Sequence, residues 1–215
     1  ISGKSNSIYG GDLADTIEEL NSNCSNNYIY GGAGNDTIIL RGGSSAYGEE
    51  GDDIFIAYSG VCYGGIGNDT ITRYGGSGVS YGGEGDDVFN IYSSNAKYFG
   101  EEGNDTFNII GSLSGIVIDG GSGTNNVTGE VGSNTTINVV GANSGVVSLV
   151  KGVEQKATIN GIDYTMSATL SSAEVIYKLD TSGQITFTSS SGGVIIKGDV
   201  NKKHNVVVRG VNFYG

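Results

Sequence analysis

Short stretches in which apolar and polar residues alternate recur along the first half of the chain, and each follows a glycine-rich stretch. The segments "YGGAGNDTI" (30–38), "YGGIGNDTI" (63–71) and "YGGEGDDVF" (81–89) share one order: an aromatic residue, three glycines in four positions, an aspartate and an apolar residue. Alternation with a period of two predicts short strands. Glycines, which tolerate positive φ, predict the turns. We therefore expect pairs of short strands joined by tight turns.

Seven copies of this unit follow one another. Their first glycines lie 16 to 21 residues apart, on average about 18, which is the length of a two-strand solenoid coil. These first glycines are Gly10, Gly31, Gly48, Gly64, Gly82, Gly100 and Gly120. The sixth position holds Asp15, Asp36, Asp53, Asp69, Asp87, Asp105 and Asn125. Because several columns keep their register over seven units, the sequence predicts stacked coils.

The same columns predict which side chains fill the interior. The middle residue of the strand after the aspartate should point inward, and so should the residue before the aromatic one. The first column is Ile17, Ile38, Phe55, Ile71, Phe89, Phe107 and Val127, and the second is Ile8, Ile29, Ala46, Cys62, Ser80, Tyr98 and Ile118. The aromatic residues then form an outward ladder, which either stabilises neighbouring strands by stacking or binds a sugar or another flat partner.

The unit resembles the nonapeptide G-G-x-G-x-D-x-U-x of the RTX family, the hemolysin-type calcium-binding repeat. "GGAGNDTII", "GGIGNDTIT" and "GGEGDDVFN" match it at every defined position, and the resemblance covers residues 8–128. It implies an all-β fold, a parallel β-roll that folds on binding calcium. We expect this roll over residues 1–128 and a β-rich capping or array module over residues 129–215.

The turn has the donors that Ca²⁺ prefers, since G-G-x-G aims backbone carbonyls inward and the aspartate adds a carboxylate. The intervening turns, such as "RYGGSGVSY" (73–81), lack aspartate, so the calcium sites should form one row on one edge. Six aspartate-bearing turns that share ions between coils give about five sites. The candidate ligands are Asp15, Gly31, Ala33, Asp36, Gly48, Glu50, Asp53, Gly64, Ile66, Asp69, Gly82, Glu84, Asp87, Gly100, Glu102 and Asp105.

Some units depart from this pattern. Leu13 replaces the third glycine of the first unit, and Asn125 replaces the aspartate of the last, so both end sites should be weak or absent. Glu49 and Glu101 replace the second glycine, where they either strain the turn or offer a side-chain oxygen. Aspartate also caps turns without metal. However, aspartates about 4.8 Å apart repel one another by about 1 kcal/mol per pair even in water, which favours calcium.

Asp52 and Asp86 stand at the fifth position. We interpret them as solvated acids that only add to the negative field.

The second half predicts strands without the glycine-aspartate pattern. "TTINVV" (135–140), "VVSLV" (146–150), "GGVIIKG" (192–198) and "NVVVRG" (205–210) read as strands. Asn160-Gly161 lies between β-prone runs and predicts a two-residue hairpin turn. Residues 173–189 predict a second hairpin, although "SSAEVIYKL" (171–179) is also compatible with a helix.

Composition and charge exclude some classes of protein and disfavour some binding partners. The chain has 39 Gly in 215 residues without a three-residue period, which excludes collagen, and its net charge of −12 disfavours nucleic acid and favours cations. No apolar run is long enough to span a membrane. Cys24 and Cys62 lie two coils apart, about 10 Å, too far for a disulfide, and should be free, semi-buried thiols.

We expect no enzyme activity, since the chain lacks H-E-x-x-H and G-x-S-x-G motifs. Its single histidine, His204, lies in a polar turn and should be at the surface. The resemblance implies a calcium-binding structural module of a secreted or cell-surface bacterial protein, an adhesin or toxin stalk. The alternatives are the calcium-binding tail of a secreted enzyme, namely a protease, lipase or polysaccharide epimerase, and a carbohydrate-binding module.

Overall fold

The computed structural model describes residues 1–132, 134–138, 143–149, 151–170 and 172–215. Within these ranges the chain is all-β, without a helix, and forms a parallel β-solenoid of about 11 turns. The predicted β-roll is therefore confirmed. The described part of the chain contains no helix that could cross a membrane. The strands form two sheets, named sheet A and sheet B here.

Sheet A contains the strands that precede or contain the glycine pairs of the repeat, and further strands of the C-terminal part. In spatial order its strands are β1 (Ser7–Gly11), β3 (Ser25–Ala33), β5 (Gly43–Glu50), β7 (Val61–Ile66), β9 (Val79–Glu84), β11 (Lys97–Glu102), β13 (Val117–Asp119), β15 (Thr135–Asn138), β17 (Gln155–Ile159), β18 (Ile162–Ala168), β21 (Val194–Gly198) and β23 (Asn212–Tyr214).

Sheet B contains the strands that follow the aspartates of the repeat, and further strands of the C-terminal part. In spatial order its strands are β2 (Thr16–Glu18), β4 (Thr37–Leu40), β6 (Ile54–Ala57), β8 (Thr70–Arg73), β10 (Val88–Ile91), β12 (Thr106–Leu113), β14 (Asn126–Val131), β16 (Asn143–Leu149), β19 (Ala173–Leu179), β20 (Ile185–Thr188) and β22 (Val206–Arg209).

Parallel pairing places equivalent residues of successive coils side by side. Phe55 is paired with Ile71 in sheet B, and Ala46 is paired with Cys62 in sheet A. The predicted inward columns are buried, apart from the partly buried Ile8 in the first coil. Both cysteines are free, as expected, but they are fully buried rather than semi-buried; Cys62 lies in an inward column of sheet A.

The predicted outward ladder is present on sheet A. Its rings stack with centroids 4.7 to 5.0 Å apart, and this spacing is that of adjacent strands. The tyrosine ladder consists of Tyr9, Tyr30, Tyr47, Tyr63, Tyr81 and Phe99. A second stack, Tyr58, Tyr74 and Tyr92, lies at the other edge of the coils and was not predicted.

The C-terminal part interrupts parallel pairing with two hairpins. β17 and β18 are antiparallel, and Asn160 and Gly161 join them with φ values of 51° and 69°, which confirms the two-residue turn. β19 and β20 form the second predicted hairpin, so residues 173–179 are a strand. The predictions for residues 139–140, 150 and 171 lie outside the described residues. The boundary at residue 128 remains a prediction.

His204 is not the surface residue that the sequence suggested. Its ring packs edge-on against Tyr164 and Phe213, with ring centroids 5.8 and 5.5 Å away. Its Nε2 lies 2.8 Å from the carbonyl oxygen of Asp199. The half-buried ring closes the polar turn onto the aromatic side chains of the C-terminal coils.

Candidate metal centre

The candidate site is the aspartate edge, the edge at which each sheet A strand turns into the next sheet B strand through the fourth to sixth positions of the unit. Parallel stacking brings Asp36, Asp53, Asp69, Asp87 and Asp105 into one column. All five side chains are nearly or fully buried, at 1% exposure or less. Carboxylates are rarely buried without a partner, so their contacts decide what this edge can bind.

One oxygen of each carboxylate joins neighbouring coils. The backbone N–H of Asp36 donates to Oδ1 of Asp53 over 2.7 Å, and the N–H of Asp53 donates in the same way to Asp69. The series begins with the N–H of Asp15, which donates to Asp36. It continues through Asp69, Asp87 and Asp105 with distances of 2.7 to 3.0 Å. These bonds lock the coils in register.

The other oxygen of each carboxylate is left without a partner. Oδ2 of Asp36, Asp53, Asp69, Asp87 and Asp105 is buried and accepts no hydrogen bond from any described residue. An unpaired buried acceptor costs free energy, and an ionised one costs more. Five such atoms in one column indicate a compensating group that is not part of the chain.

The first glycine of each unit provides room for such a group. A Cβ atom added at Gly48 would come within 3.0 Å of both Asp53 Oδ2 and the carbonyl oxygen of Gly64 in the next coil. The same pair of oxygens converges at Gly31, Gly64, Gly82 and Gly100. Each cradle therefore combines a carboxylate oxygen with a carbonyl oxygen of the following coil. These are the oxygen donors that Ca²⁺ prefers, so the residues fit this ion.

The electrostatics of the column favour either a proton or a cation at each carboxyl group. Burial raises the pKa of Asp53 to about 6, of Asp69 to about 7, of Asp87 to about 8 and of Asp105 to about 6. The N–H donor from the preceding coil lowers each pKa, and nearby aspartates raise it again. Without a cation the column therefore favours protonated carboxyl groups, and a cation beside Oδ2 favours the charged form.

The predicted ligands at the third position lie elsewhere in the turn. The carbonyls of Glu50, Ile66, Glu84 and Glu102 accept hydrogen bonds of 2.8 to 2.9 Å from the fourth-position glycine of the preceding coil. Their side chains are exposed, and that of Ala33 is partly buried. The structure thus brings together the first and sixth positions, and the ligand roles of all predicted residues remain predictions.

The last turn shows how an uncharged residue closes the same cradle. Asn125 is fully buried, and its Oδ1 accepts a hydrogen bond of 2.7 Å from Asp105 N–H. Its Nδ2, which replaces the unpaired carboxylate oxygen, donates to the carbonyl of Ser122 over 3.3 Å. This turn therefore satisfies its own side chain and needs no cation.

A second column of hydrogen bonds was missed by the sequence analysis. Asp52 accepts from the N–H of Asn68 and Asp86 accepts from that of Asn104, each over 2.7 Å. Both side chains are exposed, as expected, but the interpretation that they only add to the negative field is wrong, because each accepts a backbone hydrogen bond from the next coil. The sequence feature that could have predicted this column is the recurrence of Asn and Asp at the fifth position of the unit, because both residue types accept hydrogen bonds from backbone N–H groups.

The backbone strain that was one of the two expectations for Glu49 and Glu101 is present in the structure. Their φ values are 80° and 76°, in the left-handed region that glycine adopts freely and other residues adopt at a cost. The equivalent Gly32 and Gly83 also have positive φ.

The opposite edge of the same coils, where each sheet B strand turns into the next sheet A strand, carries its own buried charges. Arg73 is fully buried, and its Nη2 donates to the carbonyls of Gly60 and Val79 over 3.2 and 3.0 Å. Its Nε and Nη2 also contact Ser80 Oγ at 3.3 and 3.1 Å. At this opposite edge, carbonyl oxygens are therefore paired with a guanidinium group. At the aspartate edge, in contrast, carboxylate oxygens are unpaired.

Glu19 has the complementary role in the first coil. It is fully buried, and its carboxylate accepts from the N–H groups of Arg41 and Gly42 over 2.9 and 2.8 Å and from the Ser44 hydroxyl. The sequence analysis named neither Arg73 nor Glu19. Strict alternation along "TITR" (70–73) places Arg73 inward, and that was the available signal.

Side chains alone do not form a metal cluster. No group of three or more His, Cys, Asp or Glu side chains suited to a metal ion occurs among the described residues. A site here depends on backbone carbonyls as well as carboxylates, which agrees with the cradles at the first glycines.

Comparison with protein families finds one match. The family model described as RTX calcium-binding nonapeptide repeat (4 copies) matches residues 25–45. No curated protein and no solved structure gives a significant match. The matched residues contain the first complete glycine-aspartate unit, and the expected resemblance is confirmed.

Proposed function

We propose that the chain is a structural module of a secreted or cell-surface bacterial protein, an adhesin or toxin stalk, that folds on calcium binding, because residues 25–45 match the RTX calcium-binding nonapeptide repeat. This match and the β-solenoid fold support a calcium-binding repeat module. Folding on calcium, the extracellular location and the stalk role are the proposal. It is supported by a rod of repeated coils with many glycines, which cost backbone entropy on ordering.

The observation that carries the proposal is the column of five unpaired Oδ2 atoms, each beside a carbonyl oxygen of the next coil. In the mechanism, the Oδ1 atoms hold adjacent coils in register, and the first glycines keep the cradles open. A bound calcium ion would supply the positive charge that the Oδ2 atoms lack, and these atoms and the first-glycine carbonyl oxygens would be its ligands. Asp36, Asp53, Asp69, Asp87 and Asp105 are the carboxylate ligands in this proposal.

The backbone ligands are those of the sequence prediction. We assign the carbonyls of the first-position glycines first, because each lies at the cradle of the preceding coil. The third-position carbonyls are assigned a secondary role, because those from Glu50 to Glu102 already accept one hydrogen bond. Asp15 forms the terminal turn beside the exposed Leu13, and we expect its site to bind most weakly.

A calcium count tests the proposal. Metal-stripped protein is titrated with Ca²⁺, and bound ions are counted by native mass spectrometry. We expect about five ions and a parallel gain of strand signal in circular dichroism, whereas Mg²⁺ at the same concentration should produce neither, because it demands a smaller, nearly octahedral site. A chain that binds no calcium, or binds it without any gain in structure, would contradict the proposal.

The carbohydrate-binding alternative has less support. Sugars stack on free ring faces, and the faces in the tyrosine ladder are covered by neighbouring rings, with interplanar angles of 14° or less. The second alternative, the tail of a secreted enzyme, uses the same calcium-dependent folding and differs only in what the module is attached to.

A further inference from the structure

The interior of the roll beside the opposite edge contains a positive charge without a neighbouring acid. Arg73 is fully buried, and a guanidinium group keeps its proton in proteins. Neither ion pair among the described residues includes Arg73. The buried carboxylate of Glu19 lies in the same inward column three coils earlier, about 14 Å away at about 4.8 Å per strand. Buried charges are normally paired, so this guanidinium group lacks a counter-charge.

The polar side chains around the guanidinium group do not supply that charge. Nη2 of Arg73 lies 3.8 Å from Cys62 Sγ, and Tyr98 is paired in sheet A with Ser80, which Arg73 contacts. Burial raises the pKa of Cys62 to about 11, although Arg73 and Ser80 lower it. Burial also raises the pKa of Tyr98 above its ordinary value, against the effect of Arg73. The thiol and the phenol are therefore neutral at physiological pH.

Two hydrogen-bond donors of this cluster are buried without an acceptor. Nη1 of Arg73 and the hydroxyl group of Tyr98 have no partner among the described residues. Both side chains are fully buried, and a guanidinium N–H group can only donate. A buried donor without a partner costs free energy, and a charged one costs more. The group that is missing here therefore accepts hydrogen bonds and carries negative charge.

Small residues surround the end of the Arg73 side chain. Ala57 is its neighbour in the inward column of sheet B, and Cys62 and Ser80 lie in the inward column of sheet A. A Cβ atom added at Gly78 would collide with Arg73 Nη1. The φ angle of Gly78 is not positive, so space and not backbone conformation accounts for this glycine. Because the cluster is enclosed by the roll, a monatomic ion fits it better than a larger oxyanion.

We infer that the roll binds one monovalent anion of the size of chloride between Nη1 of Arg73 and the hydroxyl group of Tyr98. The ion neutralises the guanidinium group and accepts the two hydrogen bonds that the chain leaves unmade. Arg73 and Tyr98 belong to successive coils, so the ion joins these coils on the edge that has no calcium sites. The anion site is additional to the proposed function and uses none of the calcium ligands.

Anomalous X-ray diffraction tests the site directly. Crystals of the calcium-saturated chain are prepared with bromide as the only halide, because bromide has the charge of chloride and nearly its size. We expect one anomalous peak within hydrogen-bonding distance of both Arg73 Nη1 and the hydroxyl oxygen of Tyr98. A water molecule at this place, or bromide on the surface of the roll only, would overturn the inference.

Urea unfolding measures the same site in solution. Calcium gluconate is kept saturating at constant ionic strength, and sodium chloride replaces sodium gluconate, whose anion is too large for the site. Once chloride exceeds its Kd, each tenfold rise in chloride should raise the equilibrium constant for folding about tenfold. Tyr98→Phe removes one donor and keeps the ring, so the dependence should begin at a higher chloride concentration. Equal stability in chloride and in gluconate would contradict the inference.

Two methionine variants separate the site from a general effect of salt. Arg73→Met should abolish the chloride dependence, and Ile91→Met, its matched control in the next coil, should retain it. A dependence that persists in Arg73→Met would overturn the inference. If Arg73→Met does not fold, Tyr98→Phe decides, because an unchanged onset would exclude an ion at the hydroxyl group. Folding without calcium would contradict the proposed function alone, since the chloride series is measured at constant calcium.

Discussion

The two edges of the same coils solve the problem of buried charge in opposite ways. On the opposite edge, Nη2 of Arg73 donates to the carbonyls of Gly60 and Val79, and Glu19 accepts from backbone N–H groups. Both charged groups thus find partners within the chain, and Nη1 of Arg73 is the one atom of the two groups that is buried without a partner among the described residues. On the aspartate edge, five buried Oδ2 atoms have no partner among the described residues. In the proposed function, calcium dependence is therefore a property of the aspartate edge.

Asn125 makes the same comparison within the aspartate edge. Asn125 has an amide NH₂ group in place of the second carboxylate oxygen of an aspartate. This group donates a hydrogen bond to the Ser122 carbonyl, so the side chain has a partner within its own turn. In the proposed function the calcium requirement therefore depends on single atoms in single turns, and we expect substitutions to move it from one turn to another or to remove it.

The largest expected effect comes from pH, because four carboxyl groups respond together. The pKa values of Asp53, Asp69, Asp87 and Asp105 in the metal-free fold are about 6 to 8, against about 3.9 for an unfolded aspartate. The fold then binds more protons than the unfolded chain. This stabilising contribution is complete below about pH 4 and is lost as the pH rises through 6 to 8.

Metal-stripped protein should therefore have more strand signal in circular dichroism at pH 5 than at pH 8. The calcium-saturated protein should show the reverse dependence, because calcium needs the deprotonated carboxylates. A strand signal in the metal-stripped protein that is higher at pH 8 than at pH 5 would disagree with the buried column.

Gly82→Ala should have the next largest effect. A Cβ here would come within 3.0 Å of Asp87 Oδ2 and the Gly100 carbonyl. We expect the free energy of unfolding to fall by about 3 kcal/mol because of steric crowding, which urea unfolding in calcium measures. We also expect one bound calcium ion fewer, which ion counting measures. The matched control is Gly43→Ala on the opposite edge, where the added Cβ meets nothing within 4 Å. Equal effects of the two variants would refute a special role for the first glycine.

Asp87→Asn should convert a calcium turn into one that resembles the Asn125 turn. At a calcium concentration of one hundred times Kd, losing one ion removes about 2.7 kcal/mol of stability. The metal-stripped variant should, in contrast, retain more strand signal than the natural chain, because a buried carboxylate is gone. The reverse substitution, Asn125→Asp, should add one ion. If both variants bind the natural number of ions, the comparison between these turns fails.

Arg73→Met should have the smallest effect and should act on the opposite edge only. It leaves the Gly60 and Val79 carbonyls without their donor, at a cost of about 2 kcal/mol. Urea unfolding should show the same loss at every saturating calcium concentration, with the number of bound ions unchanged. Ile91→Met, in the same column of the next coil, controls for the change of side chain. A loss that disappears at high calcium would show that Arg73 takes part in the calcium sites.

Much of this architecture was predictable from the sequence, because a unit that repeats the same columns of residue types fixes its own register. The inward columns, the tyrosine ladder, the β-roll and the Asn160-Gly161 hairpin follow from spacing and residue type. The partners of individual polar atoms were not predictable. Arg73 occurs once, so no column reveals it, and the bond from Asn125 to Ser122 depends on which way one amide points. Asp52 and Asp86 resemble surface acids until the neighbouring coil is placed beside them.

The most direct test of the central claim is the hydrogen exchange, measured by NMR, of the backbone amides of Asp36, Asp53, Asp69 and Asp87, which donate to the next aspartate of the column. In calcium at neutral pH we predict strong protection of all four amides. After complete metal removal at the same pH we predict exchange near the rate of an unstructured chain. Equal protection in both conditions would contradict the claim that calcium between the coils holds this edge together.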